Sequence, residues 1–361
     1  MEEMNYVVGR GRLFFGLFKP GTRVATSQRY FGNTPELSLS QSEDTLDHFS
    51  SEGGVRVKDA SVTLQNDSSG SFTCDNISPE NLALWFLGEV VSRIEAGTAL
   101  ATGTVVFANS SPVEGDSVTI NGVEITFSAT AGPNTISPIP ATIGDAADAL
   151  AEEINALSTV LGVTAESDNG TATVTLNATI AGTDGNAVTT TADFDTPANV
   201  TVSAATLEGG ANVEETFTGI ERGRWLQLGK SVATPQGIRN VGSVSISGVD
   251  PSSYTVENDT GRVMLHADAD DITDGGNVTV SYGITPQTET VVIAKGQSIE
   301  GELQFIANNP VGANDDYFWP YVKLTPDGDF SLKSDEWQTV GWTIEILKRD
   351  SVTERQYITR R

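Results

Sequence analysis

Val118-Thr119-Ile120-Asn121-Gly122-Val123-Glu124-Ile125-Thr126-Phe127 alternates apolar and polar side chains on both sides of an Asn-Gly pair. Alternation at period two marks strands with one face buried, and Asn-Gly supplies the positive-φ positions of a two-residue hairpin turn. The same pattern, short apolar runs broken by Gly, Asn and Asp, runs along the chain, with 36 glycines in 361 residues and aromatics at only 7%. It predicts a mainly β protein. The hairpin also lies in a stretch of unusual composition. Between Arg93 and Arg222 there is no Lys, Arg, His, Trp or Tyr, while acids such as Glu95, Asp116, Glu152 and Glu221 continue throughout. A break that sharp on both sides predicts a module set into a host domain: residues 1–96 and 214–361 form the host, and 97–213 the insert.

Within the insert, Asp145 is placed to cap a helix whose apolar stripe is Leu150, Ile154, Leu157 and Leu161, ending before Gly162. Two further strands, 163–166 and 172–176, are predicted to turn at Asn169-Gly170, so that the order β-β-α-β-β makes a small α+β domain. Glu208-Gly209-Gly210 reads as the exit linker. In the flanks, residues 7–19 read as a strand, and 36–41 and 60–65 alternate as half-buried strands. Between these last two lies 42–58, long for a hairpin loop and rich in charge, yet carrying Leu46, Phe49 and Val55. Long loops with buried-type residues tend to be functional. Ser78-Pro79-Glu80 starts a helix, with a capping hydroxyl, Pro at the first position and an acid at the positive end of the dipole. Its apolar face, Leu82, Trp85, Phe86 and Leu87, is expected to pack on a sheet. After Arg224, strands are predicted near 244–247, 254–257, 262–266, 277–282, 291–305, 321–325, 329–333 and 340–347, and a basic tail ends the sequence at Arg360-Arg361.

The formal net charge is −27, from 48 Asp and Glu against 21 Lys and Arg. Nucleic-acid binding rests on neutralising phosphates, so a tight grip on DNA or RNA is excluded, and an anionic membrane surface is disfavoured. The single cysteine, Cys74, cannot form an internal disulfide and has no neighbouring cation in sequence to activate it, so a buried thiol is expected. The N-terminal Met1-Glu2-Glu3-Met4-Asn5 lacks the features of a signal peptide, and no apolar run approaches the ~20 residues that span a bilayer. A soluble protein made in a cytoplasm is expected. His48 and His266 have no partner at metal-ligand spacing. Residues 268–275 are the carboxylate cluster to test as a calcium loop, but Thr273 and Thr279 stand where such a loop needs Gly and Glu. Gly9-Arg10-Gly11 followed by Gly16 has the wrong spacing for a dinucleotide loop. No catalytic, cofactor or metal site is readable, and a non-enzymatic chain is expected.

Tyr30-Phe31-Gly32-Asn33-Thr34-Pro35-Glu36-Leu37-Ser38-Leu39, followed by Thr45-Leu46-Asp47-His48-Phe49-Ser50-Ser51-Glu52-Gly53-Gly54, resembles the N-terminal part of the major tail tube proteins of long non-contractile-tailed bacteriophages. The helix near 78–88, Gly223-Arg224-Trp225-Leu226-Gln227-Leu228-Gly229, Thr260-Gly261-Arg262-Val263 and the Trp342 strand are similar to that family in order. The insert resembles a Gly-Asp-x-Val-x-Ile-Asn-Gly module of other phage structural proteins, which plain tube proteins lack.

The resemblance implies a tail-tube-type β-sandwich or barrel host with one packing helix, joined edge to edge into hexameric rings that stack into a virion tail tube. It implies as partners further copies of the chain, tape-measure, tail-terminator and tail-tip proteins, and double-stranded DNA that passes an acidic lumen without tight binding. Leu46, Asp47, His48, Phe49, Glu52 and Val55 are the expected contacts with the next ring, and the insert is expected to decorate the outside. The alternative is a β-rich virion adhesin or carbohydrate-binding decoration protein. The scarcity of paired aromatics in the flanks and the absence of Trp and Tyr from the insert weigh against it.

Overall fold

Leu13 and Phe15 are buried in Gly11–Leu17 (β1), with Phe14 half-buried between them, and this strand pairs with the short Arg29–Tyr30 (β2). Glu36–Ser50 (β3) and Val57–Cys74 (β4) then form a hairpin paired antiparallel along its whole length, from Glu36↔Thr73 to Ser50↔Val57. The predicted long loop at 42–58 is therefore strand on both sides, and only residues 51–56 turn. Alternation is weak there because neither face is buried, which is why period-two reading stopped at Gln41. Helix Pro79–Trp85 (α1) begins as expected: the Ser78 hydroxyl accepts from the Asn81 backbone N–H at 3.2 Å, and Pro79 occupies the first position. It ends before Leu87, whose φ is 53°, and Leu84 and Trp85 pack into the core below. Gly88–Glu95 (β5) follows.

In this computed structural model, which describes residues 6–361, the chain divides after Arg93: Ile94–Glu289 is one compact unit, and Thr290–Arg361 belongs with the beginning of the chain in the other. The second unit holds two cores. The first lobe is built from Thr102–Phe107 (β6), Ser117–Ile120 (β7), Val123–Phe127 (β8), Thr135–Ile136 (β9), helix Ile143–Ala156 (α2), the short helix Ser158–Leu161 (α3), Val163–Asp168 (β10), Thr173–Ala178 (β11), Thr190–Asp193 (β12) and Val200–Val202 (β13). Its two four-stranded sheets are ordered β10-β11-β6-β13 and β12-β7-β8-β9. The Asn121-Gly122 turn has positive φ at both residues, and Ile120 pairs with Val123 as the sequence implied. Thr142, not Asp145, caps α2: its hydroxyl accepts from the Asp145 N–H at 3.1 Å, one turn before the position read from sequence. Of the predicted stripe, Leu150, Ile154 and Leu161 are fully buried, but the expected single helix breaks at the half-buried Leu157, and Leu161 lies on α3.

The second lobe comprises Val213–Thr218 (β14), Trp225–Gln227 (β15), Val241–Ile246 (β16), Tyr254–Glu257 (β17), Arg262–Leu265 (β18) and Asn277–Ile284 (β19). Two three-stranded sheets, β14-β19-β16 and β15-β18-β17, enclose Leu228, Val263, Val280 and Tyr282. The insert thus ends at Glu289 rather than at Val213, and Glu208-Gly209-Gly210 links two lobes of one unit. Composition misplaced the boundary because Arg, Lys and Trp return in this lobe, and residue types do not reveal which core a strand joins. The two lobes meet at a bulge in β16, where the Ser243 hydroxyl donates to the Ala181 carbonyl at 2.8 Å and accepts from the Asp184 N–H at 3.0 Å.

The chain returns through Gln287–Ala294 (β20), which pairs with β5 as a two-stranded ribbon, and completes the first unit with Ile299–Ala307 (β21), Asp315–Asp327 (β22), Val340–Ile346 (β23) and Tyr357–Arg360 (β24). Residues 329–333, predicted as a strand, fall outside any strand. The large sheet runs β2-β1-β21-β22-β23-β4-β3, with β24 on the remaining stretch of β22. Phe31, Phe72 and Trp342 form its aromatic centre, Phe72 stacking on Trp342 at 5.0 Å and meeting Phe31 edge-on at 4.9 Å. Among the described residues no helix is long and apolar enough to cross a membrane.

A Cβ on Gly283 would lie 2.2 Å from the Ala181 carbonyl oxygen, so the joint between the lobes closes only over glycine. Gly283→Ala should lower stability by about 1–3 kcal/mol through overpacking, read as an earlier midpoint in chemical denaturation. An unchanged midpoint would show that the lobes are not packed at this joint.

Candidate functional site

β4 has β23 beside it only from Ser68 to Cys74, and among the described strands none flanks β3 on its outer edge. Beyond that limit the hairpin continues as a free two-stranded arm, roughly 25–30 Å long at about 3.3 Å per residue. Its outer half has no fully buried side chain. Leu46 is 63% exposed and sits opposite Val62, itself 61% exposed, and Leu64 is as bare. Phe49 is opposite Lys58, with the Arg56 guanidinium 5.4 Å from its ring centre. Glu52 and Val55 occupy the turn, and Val55 is 78% exposed.

All six residues singled out from the sequence therefore lie together at the end of the arm, but on strands and a tight turn rather than in a loose loop. Their apolar members do not fold back on their own domain. Val57, Val62 and Leu64 share the arm; the alternation over 60–65 implies a strand covered on one face, but Val62 and Leu64 are exposed, and Val57 lies within the expected loop.

Polar cross-links keep the arm in register. The Asp47 carboxylate receives the Lys58 ammonium at 2.6 Å and the Ser61 hydroxyl at 2.7 Å, which together hold its carboxyl below the usual range. His48 Nδ1 lies 2.6 Å from the Asp59 carboxylate. Exposed pairs like these contribute little net stability, and a two-stranded ribbon is marginal in water without a third element. An arm of this kind gains support when something else covers it.

At the inner end of the β3–β4 hairpin, an open groove of about 1180 Å³ is lined by Leu37, Leu39, Phe305, Tyr317 and Trp319, with Arg10 at one side. No histidine or cysteine lines it. Cys74 is buried, its Sγ 3.2 Å from the Phe31 carbonyl, and burial pushes its thiol up. Two of the 268–275 carboxylates serve the fold: Asp274 accepts from the Arg222 backbone N–H at 2.7 Å and Asp271 from that of Asp250 at 2.6 Å. No group of three or more His, Cys, Asp or Glu able to hold a metal is found among the described residues. In the second unit Glu215 accepts from the Tyr282 hydroxyl at 3.0 Å and the Gly229 N–H at 2.8 Å. Burial, then that carboxylate, push the Tyr282 hydroxyl well above its ordinary value.

The basic tail is a strand clamped by charge. Arg360 grips Asp315 through two hydrogen bonds, 2.8 and 3.0 Å, and Arg361 grips Asp316 at 2.7 and 3.1 Å. Among the described residues, exposed large apolar side chains are concentrated in the first unit, and Ile94, Val113, Val160, Ile180, Val213, Trp225 and Val232 are those of the second.

A family model described as a protein of unknown function, UCP028589, matches residues 6–138, from β1 through the arm and α1 into the first lobe of the second unit. No curated protein matches the chain.

Arg360 and Arg361, as hydrogen-bond donors, hold the Asp315 and Asp316 carboxyls below the ordinary aspartate range. Depressed carboxyls stabilise fully above the unfolded value, about 4, and lose that contribution as pH falls through their own lower values. Amide exchange in β24, corrected for intrinsic rate, should therefore be flat from neutrality to about pH 4 and rise below it. A rise beginning near pH 6 would assign the clamp to other groups.

Proposed function

We propose that the protein is a structural subunit that assembles with copies of itself, as the major tail tube proteins that its sequence resembles do. The observation that carries this reading is the arm: two long strands with unpaired edges, bearing Leu46, Phe49, Val62 and Leu64 in the open. Unpaired edges and exposed apolar side chains on a soluble chain are an aggregation hazard unless a fixed partner takes them up. A second copy of the same chain is the partner this reading assigns to those edges. A head-to-tail repeat of that contact closes into a ring, and stacking of rings through the arm gives a tube. The concentration of exposed apolar side chains in the first unit supports assembly contacts on that unit.

The charge balance fits a conduit. At −27 the chain repels a polyanion, so a lumen lined by it would let double-stranded DNA slide without adsorbing. Tape-measure, tail-terminator and tail-tip proteins are the further partners such a tube requires, and a virion tail is where it would work.

Sedimentation and negative-stain electron microscopy of the purified chain test this: rings or tubes are expected without any cofactor. Leu46→Asp with Phe49→Asp should leave rings but abolish tubes, because each charge would be buried in an apolar contact at a cost of several kcal/mol. A chain that stays monomeric at every concentration and salt would remove the tube reading. Tubes of normal length in the double variant would remove only the arm from the stacking contact.

The second unit supplies a separate check. Joining β5 to β20 by a short Gly/Ser turn in place of residues 96–286 should leave assembly intact, and the isolated unit should unfold cooperatively from its own two cores. Loss of assembly in a soluble deletion variant would place the second unit in the ring contact.

A further inference from the structure

β24 is a strand without a buried residue: Tyr357 and Ile358 are 43% and 56% exposed, so its ladder to β22 has little apolar burial behind it. Cations hold it instead. Besides the two Arg–Asp clamps, Arg361 donates from Nη2 to the Ala307 carbonyl at 2.8 Å, at the end of β21. Upstream in the same segment, Gln356 accepts from the Trp319 indole N–H at 3.1 Å and Lys348 pairs with Glu354 at 3.7 Å. Arg355 reaches the other way, donating from Nη1 to the Asn66 carbonyl at 2.6 Å.

Asn66 lies in β4 opposite Glu43, just past Ser68, where β23 ceases to support β4. A small polar cleft opens at this place between Gln41, Asn66 and Ser68 on the arm and Glu354, Arg355 and Gln356 on the tail. One short segment thus touches the sheet at β21 and β22 and the arm at its root.

We infer that residues 348–361 are a releasable strap, held by exposed ion pairs and hydrogen bonds, that fixes the root of the β3–β4 arm to the sheet. The inference concerns the single subunit and stands whether or not the subunit builds a tube. Exposed ion pairs are screened by salt, whereas apolar contacts are not. Rising ionic strength therefore loosens β24 and, with it, the Arg355 tether. Without the strap, β4 from Val57 to Asp67 has β3 as its only partner, a ribbon of marginal stability. At the same time the Asp315–Phe318 edge of β22 is bared. The direction of the arm is in this way set by a segment that ions can displace.

Amide hydrogen exchange on the full-length chain, in its monomeric fraction, tests the strap. Arg360→Gln with Arg361→Gln should speed exchange about three- to tenfold in β24 and also in residues 57–67, with β23 unchanged. Arg355→Gln should speed residues 57–67 and leave β24 alone. Wild-type chain in about 0.5 M salt should show the pattern of the double variant. If β24 opens while residues 57–67 keep their wild-type protection, the strap does not hold the arm. If β24 responds to neither the substitutions nor salt, the ion pairs are not what closes it. Should the double variant fail to fold, the salt series and Arg355→Gln decide alone.

Discussion

The pairing of β3 with β4 is carried well past the point where the rest of the sheet supports it, and the first unit is organised around that fact. At the inner end of the hairpin, Leu37 faces Phe72, and Phe72 stacks on Trp342 against Phe31. Those rings are buried, and aromatic clusters of this kind contribute beyond their area. The base of β4 is therefore rigid. The outer part of the same strand carries Val57, Val62 and Leu64 into solvent. A single strand of 18 residues is thus core at one end and surface at the other, and the rigidity of the first end aims the second.

Helix α1 strengthens the same base. Asn81, fully buried, donates to the Phe31 carbonyl at 2.8 Å and the Asn76 carbonyl at 2.7 Å, and accepts from Arg29. The Arg29 guanidinium also lies 4.9 Å from the Phe31 ring centre, and burial pulls its pKa down. The buried Asn81 amide thus has polar partners for both its donor and its acceptor, which is the condition for a polar group to stiffen a core rather than weaken it. The helix, β2 and the end of β4 are fixed by one set of contacts.

The second unit follows a different rule. Each of its lobes closes its apolar residues between two sheets, and its few exposed large apolar side chains are scattered. Scattered exposure is ordinary for a domain that needs no partner. Its link to the rest of the chain is a two-stranded ribbon of β5 and β20, so both chain ends leave from neighbouring strands. Insertion at such a place leaves the host sheet's pairing untouched.

Much of this was legible in residue order. Period-two alternation gave the β class, Asn121-Gly122 gave a hairpin, and Ser78-Pro79-Glu80 gave the start of a helix, because each depends on backbone geometry and local hydrogen bonds among near neighbours. The spacing of Leu150 and Ile154 gave the buried face of α2 for the same reason, though not the break at Leu157. Leu46, Phe49 and Val55 stand out in a charged stretch of the sequence, but that most of this stretch is paired strand was not legible there. What residue order could not settle was pairing. That β4 outruns β23, that Val213–Glu289 follows a core of its own, and that the basic tail is a strand clamped on Asp315 and Asp316 are all relations between residues far apart in the chain. Alternation says that a strand has two faces. Only the tertiary structure decides what lies against each, because burial is a property of the partners and not of the strand.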